Sequence, residues 1–152
     1  MWLINIESMR LEEFTPPDLP TYAILSHTWA EDEVTFNEFG NLESAEKKAG
    51  FAKIKKTCEL AAIKGIPYCW VDTCCIDKSS SAELSEAINS MFDWYKLSAV
   101  CFAYLYDLDV GHLEDSVTLW RDEKKRLWVE LERPQDRPVG DKTVIGYDGY
   151  SE

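Results

Sequence analysis

Three hydrophobic runs along the chain have the character of buried β-strands. They are YAILS at residues 22–26, YCWVDT at residues 68–73 and AVCFAYL at residues 99–105, and none of them has helical spacing. Runs that are apolar on both sides favour a parallel sheet covered on both faces, so they predict three central strands. The alternation of Trp2, Ile4 and Ile6 near the start predicts a further, shorter edge strand.

Helical spacing fills the intervals between these runs. Residues 43–64 have one apolar face covered on the other side by lysines; Gly50 is a point of interruption, and Gly65 and Pro67 form a stop signal. A second helix follows the polar turn at residues 77–81, and its buried face comprises Leu84, Ala87, Ile88, Met91 and Tyr95. The order strand, helix, strand, helix, strand predicts an α/β fold with right-handed crossovers.

The last part of the chain has a different composition. Trp120, Leu127 and Trp128 lie in a highly charged segment, which predicts one helix over about residues 116–132, and polar residues with Gly and Pro follow. We therefore expect a folded domain over residues 1–110 and a divergent C-terminal helix and tail over residues 111–152.

The charge of the chain excludes some classes of partner. The 152 residues carry a formal net charge of −12, whereas nucleic acids and anionic membranes bind cationic surfaces. Nucleic acid and membrane are therefore not expected as partners, although a few local donors can still hold a small anionic ligand. No apolar run is long enough to span a bilayer, and the first residues do not have the pattern of a secretory signal.

The five cysteines indicate a reducing compartment. Their number is odd, and adjacent Cys74 and Cys75 would point to opposite sides of a strand, so they are not expected to bridge each other. We expect reduced, buried thiols in a cytoplasmic protein. A cysteine nucleophile with His27 as its base is a weaker alternative, because the acidic neighbours disfavour a thiolate. There is no CxxC pair or phosphate-binding glycine loop, and the two histidines lie too far apart to predict a metal site.

Polar side chains collect where the three predicted strands end. In a parallel sheet these ends share one edge, and ligands usually bind in the crevice beyond it. The first strand is followed by Ser26, His27 and Trp29, the second by Asp72, Asp77, three serines and Glu83, and the third by Asp107. The sequence thus predicts one carboxylate-rich site with a histidine and a tryptophan.

Each of these residues also has a purely structural interpretation. Glu83 lies three positions after Ser80, so the pair fits a capping box in which the glutamate accepts from a backbone N–H. His27 could be a core histidine, and Trp29 could serve packing alone. Asp72 interrupts an apolar stretch, and a buried carboxylate needs a partner, which loop N–H groups or His27 could supply.

Four stretches together resemble the fungal heterokaryon-incompatibility (HET) domain. They are YAILSHTW at residues 22–29, WVDTCCID at residues 70–77 with three serines after it, ELSEAINSMFDWY at residues 83–95 and AVCFAYL at residues 99–105. The resemblance covers about residues 22–108, in the family's order and spacing. Residues 107–152 depart from the Trp- and Arg-rich segment that usually follows in this family.

The resemblance implies an effector of programmed cell death in fungal non-self recognition and innate immunity, often linked to an upstream receptor-like sensor. HET domains are similar to Toll/interleukin-receptor (TIR) domains. This implies a flavodoxin-like parallel sheet with helices on both faces, a three-layer α/β/α arrangement. Many TIR domains hydrolyse NAD⁺ between nicotinamide and ribose, and others are non-catalytic modules that signal by homotypic assembly. Both functions stay open, and both imply a homo-oligomer.

The resemblance also implies roles for individual residues. TIR enzymes carry their key glutamate early in a helix, after a serine-containing loop and often before leucine, which matches Glu83 and Leu84. Glu83 is therefore the expected catalytic residue, acting on NAD⁺ or a related nucleotide as the substrate, without a further cofactor or a metal. The expected substrate-binding residues are Ser26, His27, Trp29, Asp72, Asp77, Ser79, Ser80 and Glu86, the last of which is the fallback for Glu83.

Overall fold

A computed structural model describes residues 1–105, 119–121 and 127–131 of the chain. In these ranges, the strands are β1 (Trp2–Asn5), β2 (Arg10–Glu13), β3 (Tyr22–His27), β4 (Tyr68–Trp70), β5 (Val100–Leu105), β6 (Leu119–Arg121) and β7 (Leu127–Leu131). The helices are α1 (Phe36–Phe39), α2 (Leu42–Ala45), α3 (Phe51–Ile63) and α4 (Ser81–Leu97). None of these helices has the length and apolar character required to cross a membrane.

The described strands form one mixed sheet in the order β2-β1-β4-β3-β5-β7-β6. At its centre β3 is parallel to both β4 and β5, as the three hydrophobic runs predict. The expectation of a parallel sheet holds only for this centre, because β1, β2, β6 and β7 all pair antiparallel to their neighbours. The predicted first strand exists as β1, but it lies between β2 and β4 and not at the edge.

The two long helices pack against opposite faces of the sheet. Successive side chains of a strand point to opposite faces. On β4, the Cys69 thiol lies 3.8 Å from the Thr57 carbonyl oxygen of α3. The next residue, Trp70, makes edge contacts with the rings of Trp94 and Tyr95 of α4. The hydrophobic core therefore consists of two layers of side chains, one on each side of the central strands.

Helix α3 ends where the sequence predicts. Gly65 has a φ of +69°, the left-handed conformation that glycine adopts without steric cost. The N–H of Gly65 donates to the Ala62 carbonyl, and the N–H of Ile66 donates to the Ala61 carbonyl, both at 2.9 Å. These two bonds form a Schellman motif, which satisfies carbonyl groups at the end of the helix. They direct the chain straight into β4.

The structure confirms the interruption that the sequence predicts at Gly50, and it corrects the predicted buried face of α4. The predicted helix over residues 43–64 is divided, and α3 begins only after Gly50, whose N–H donates to the Asp32 carbonyl at 2.9 Å. On α4, Ile88 is 64% exposed and Trp94 is buried in its place, while Ala87 is buried as predicted. The apolar face of α4 is therefore rotated relative to the face that the sequence predicts.

The helix predicted over about residues 116–132 is wrong, because the described part of this stretch forms β6 and β7. β7 pairs antiparallel with β5, and Trp128 is fully buried. Pairing with an exposed edge of the sheet outweighs the local helical pattern here. The described part of the predicted tail thus extends the same sheet, and the division at residue 110 stays a prediction.

Candidate functional site

A hydrogen-bond network joins the ends of β3 and β4. The Asp72 carboxylate contacts two side chains of the β3–α1 segment: its Oδ1 lies 2.8 Å from Nε2 of His27, and its Oδ2 accepts from the indole Nε1–H of Trp29 at 2.8 Å. The His27 side chain is 1% exposed and that of Asp72 is 20% exposed. The structure therefore brings together three of the predicted site residues and identifies His27 as a partner of Asp72.

The network holds Asp72 in its ionised form. Burial raises the pKa of Asp72, but the hydrogen bonds from His27 and Trp29, together with the nearby charges, outweigh burial and leave the pKa below its usual value. The second ring nitrogen of His27, Nδ1, is buried and has no hydrogen-bond partner within the described part of the chain. The exposed indole of Trp29 is consequently held by a half-buried anion.

Lys78 joins this network, and the sequence reasoning missed it. Its ammonium donates to the carbonyl oxygens of Asp72 at 3.0 Å and of Thr73 at 3.5 Å. The same ammonium lies 4.0 Å from the centroid of a Trp29 ring, within the range of a cation–π contact. One lysine in a polar turn gives no sequence signal for such a position, because the contact depends on how two loops meet.

A second charged pair contacts the backbone of the segment that carries Trp29. The Lys53 ammonium of α3 is paired with the Glu33 carboxylate and also donates to the Thr28 carbonyl oxygen at 3.4 Å. It lies 5.7 Å from the centroid of the Tyr104 ring of β5. Lys53 is only 4% exposed, although the sequence places it among the lysines of a solvent-facing helix side. This buried pair fixes the loop between β3 and α1.

The remaining predicted residues around the start of α4 form a separate capping network. The hydroxyl of Ser80 accepts from the Glu83 N–H at 3.4 Å, and Oε1 of Glu83 accepts from the Asp77 N–H at 3.0 Å. Asp77 accepts from the N–H and the hydroxyl of Ser79, which lowers the pKa of the Asp77 carboxyl. Glu83 thus binds the loop and not the Ser80 N–H, so the predicted capping box is only half formed.

Two further predicted residues lie on either side of these networks. Ser26 follows the buried part of β3 and hydrogen-bonds the phenol of Tyr95, which also donates to the Leu25 carbonyl at 3.3 Å. Burial raises the pKa of Tyr95 to about 12, so the phenol keeps its proton. Glu86 is exposed on α4, one turn after Glu83. Asp107 lies outside the described residues.

The cysteines do not have the features of a nucleophile. Four of the five are buried, and all five are free thiols. Burial, followed by the hydrogen bond to Cys75, raises the pKa of Cys74 well above its usual value, so a thiolate is disfavoured. No group of three or more metal-ligating side chains occurs among the described residues. The chemistry that this site can offer therefore comes from carboxylates, a histidine, a lysine and an exposed indole.

Comparisons with known proteins extend the resemblance along the chain. Residues 22–142 match the family described as "Heterokaryon incompatibility protein (HET)", and this range includes residues that we expected to depart from the family. The chain is 50% identical over 92 residues to the "Vegetative incompatibility protein HET-E-1" of Podospora anserina. That alignment covers 59% of this chain, and the chain spans 7% of the length of that relative. No solved structure matches the chain.

Proposed function

Because the chain belongs to the heterokaryon incompatibility (HET) family, we propose that it is a cytoplasmic effector module of fungal non-self recognition that triggers cell death. The name of the relative, a vegetative incompatibility protein, supports this role. Since that relative is much longer, an upstream receptor-like sensor that controls the module is part of the proposal.

The activity that we propose is hydrolysis of NAD⁺ at the bond between nicotinamide and ribose. The observation that carries this proposal is the position of the His27–Asp72–Trp29 network at the carboxyl ends of β3 and β4, two of the three parallel strands. Side by side in the sheet, the three parallel strands stand in the order β4-β3-β5. Numbered among themselves along the chain, these are the second, the first and the third strand, and a flavodoxin-like sheet starts with the same order. This supports a relation to TIR domains with three α/β/α layers, in which a nucleotide would bind at the crevice where the strand order reverses.

The proposed chemistry needs a carboxylate and no metal. Nicotinamide is a cationic leaving group in NAD⁺, and its departure leaves an oxocarbenium-like ribose. In the proposal the Glu83 carboxylate stabilises this positive charge and contacts the ribose hydroxyls. Only Oε1 of Glu83 is needed for the hydrogen bond to Asp77 N–H. The transition state would face the other oxygen.

The other predicted residues have supporting roles in this proposal. Trp29 stacks on a ring of the substrate, His27 and Asp77 orient it, and Asp72 holds both His27 and Trp29 in place. Ser79 and Ser80 lie at the start of a helix of 17 residues, whose N-terminal dipole favours the pyrophosphate. Ser26 lines the end of the first central strand, and Glu86 is the alternative carboxylate.

Substitution of Glu83 by Gln tests the proposal. The glutamine can still accept from the Asp77 N–H, so the loop is preserved while the negative charge is removed. We expect release of nicotinamide from NAD⁺, measured by chromatography, to fall roughly 100-fold or more, which is typical of losing one transition-state contact. Glu59→Gln, the same change at an exposed position of α3, is the matched control and keeps the wild-type rate.

The result can go against the proposal in two ways. Wild-type protein that releases no nicotinamide at any concentration would remove the enzymatic function. If Glu83→Gln keeps full activity and Glu86→Gln is inactive, the catalytic role belongs to Glu86 and not to Glu83.

A non-catalytic assembly module is the second candidate function. Three large apolar side chains of α4 are exposed, Ile88 by 64%, Phe92 by 78% and Leu97 by 61%. Ile88 and Phe92 lie one turn apart on the same side of α4. Two neighbouring exposed apolar side chains favour contact with another protein surface. In this alternative the module signals by homotypic association, and the polar network serves only to hold the loops together.

A further inference from the structure

The Lys78 side chain folds back onto the protein, although its place in an exposed turn would allow it to extend into water. It lies two residues before Ser80, the N-cap of α4, in a turn where a lysine side chain could extend into water. Its ammonium instead reaches back to the Asp72 and Thr73 carbonyls and to the Trp29 ring. The bond to Thr73, at 3.5 Å, is at the limit of a hydrogen bond, so a stronger acceptor can replace it at little cost.

The charges around Lys78 differ from those of the chain as a whole. The carboxylates of Asp72 and Glu33 both act on the Lys78 ammonium. The Glu33 charge is already paired with Lys53, and Asp72 is bonded by His27 and Trp29. Two carboxylates are thus matched by two ammonium groups. In a chain with a formal net charge of −12, this neutral cluster carries an ammonium at the surface and can accept an anion.

Trp29 provides an aromatic surface beside that ammonium. The side chain is 54% exposed, and its indole N–H is fixed by the half-buried Asp72 carboxylate. The Lys78 ammonium lies over one face of the ring, 4.0 Å from its centroid, and more than half of the side-chain surface stays open to solvent. An exposed but rigidly held indole loses little conformational freedom when a flat group stacks on it.

We infer that Trp29 and Lys78 together recognise a nucleoside diphosphate: a flat ring stacks on the open surface of the indole, and the diphosphate accepts hydrogen bonds from the Lys78 ammonium. An ammonium has three N–H donors, and the carbonyls of Asp72 and Thr73 use at most two of them. This inference deepens the proposed NAD⁺ chemistry and rests on it for the choice of ligand.

Lys78 also ties two loops together, and this structural role has to be separated from recognition. Loss of a tie would weaken every ligand of the site alike. Loss of a phosphate contact would weaken only ligands that carry phosphate. Adenosine and ADP share their ring and sugar and differ in the diphosphate, so the comparison of the two isolates the contribution of Lys78.

The experiment measures binding of ADP and of adenosine to the whole chain by titration calorimetry. In the wild type we expect ADP to bind roughly tenfold or more tightly than adenosine, as one charge-assisted phosphate contact requires. Lys78→Gln should abolish this preference and leave adenosine binding unchanged. Lys55→Gln, the same change at an exposed lysine of α3, should keep the preference, and Trp29→Ala should weaken both ligands equally.

Three results would overturn the inference. They are no preference for ADP in the wild type, a preserved preference in Lys78→Gln, and an equal loss of both ligands in Lys78→Gln, which would indicate the structural role alone. Because binding needs no turnover, the outcome is independent of nicotinamide release. A protein that shows the expected preference but releases no nicotinamide supports nucleotide recognition and refutes the proposed hydrolysis.

Discussion

Asp72 is the residue on which the polar network depends. Its two oxygens hold His27 and Trp29 separately, both at 2.8 Å. In Asp72→Asn only one acceptor oxygen is left for two N–H donors. If His27 instead changes its tautomer, its buried Nδ1–H has no acceptor within the described residues. We therefore expect Asp72→Asn to lower the free energy of unfolding by about 1–3 kcal/mol in urea titrations at neutral pH.

The sign of the pH dependence follows from the lowered pKa of Asp72. At a pH above 3.8, the ordinary pKa of an aspartate, the ionised Asp72 carboxylate stabilises the folded chain. This stabilisation is lost as the pH falls through the lower pKa that Asp72 has in the folded state. The stability difference between the wild type and Asp72→Asn should thus be largest near neutral pH and shrink in acid. Asp18→Asn, at an exposed loop position, serves as the control. A difference that stays constant down to acid pH would contradict this account.

At the scale of elements, the junction between the β3–α1 loop and α3 keeps Trp29 in place. The Ala49 N–H donates to Oδ2 of Asp32 at 2.7 Å, and the Gly50 N–H donates to the Asp32 carbonyl at 2.9 Å. Lys48 donates to the Glu33 carbonyl oxygen at 2.7 Å. The start of α3 and the loop that carries Trp29 therefore form one hydrogen-bonded unit.

Gly50→Ala tests this junction. A Cβ at position 50 would lie 2.7 Å from Oε2 of Glu33 and 2.9 Å from the Asp32 carbonyl oxygen and from Cα of Glu33. The two backbone atoms cannot move without shifting the loop, so we expect a loss of about 1–3 kcal/mol in thermal unfolding. At Gly40 the nearest atom would lie at 3.3 Å, so Gly40→Ala should be far milder. Equal stability of the two variants would show that the loop is not held by this contact.

The sequence predicts those elements whose signals are local. The apolar runs that became β3 and β5 and the glycine that ends α3 give such signals, and all three are where the sequence predicts them. β7 depends on pairing with β5, so its charged, helix-like sequence was misleading. Lys53 and Lys78 were missed for the same reason. Their roles depend on Glu33 and Trp29, which approach only after the loops have folded.

At the scale of the whole molecule, α3 and α4 cover opposite faces of the sheet, and each still exposes apolar side chains. Ile63 of α3 is 72% exposed, whereas α4 exposes Ile88 and Phe92 one turn apart on one side and Leu97 at its last residue. A single exposed apolar residue is ordinary, but several on one helix favour association. If the module acts by assembly, we expect α4 to carry the contact between copies.

Comparison of one residue from each helix tests this expectation. Phe92→Ser should abolish concentration-dependent association in sedimentation velocity runs. Ile63→Ser removes a similarly exposed apolar side chain from the other face of the sheet and should leave association unchanged. A loss in both variants would mean that general surface hydrophobicity drives association. A wild type that stays monomeric at every concentration would remove homotypic assembly by α4 altogether. Phe92→Ser could be monomeric and inactive on NAD⁺ while Ile63→Ser still associates and still hydrolyses NAD⁺. In that case assembly is a condition for catalysis, and the two candidate functions belong together.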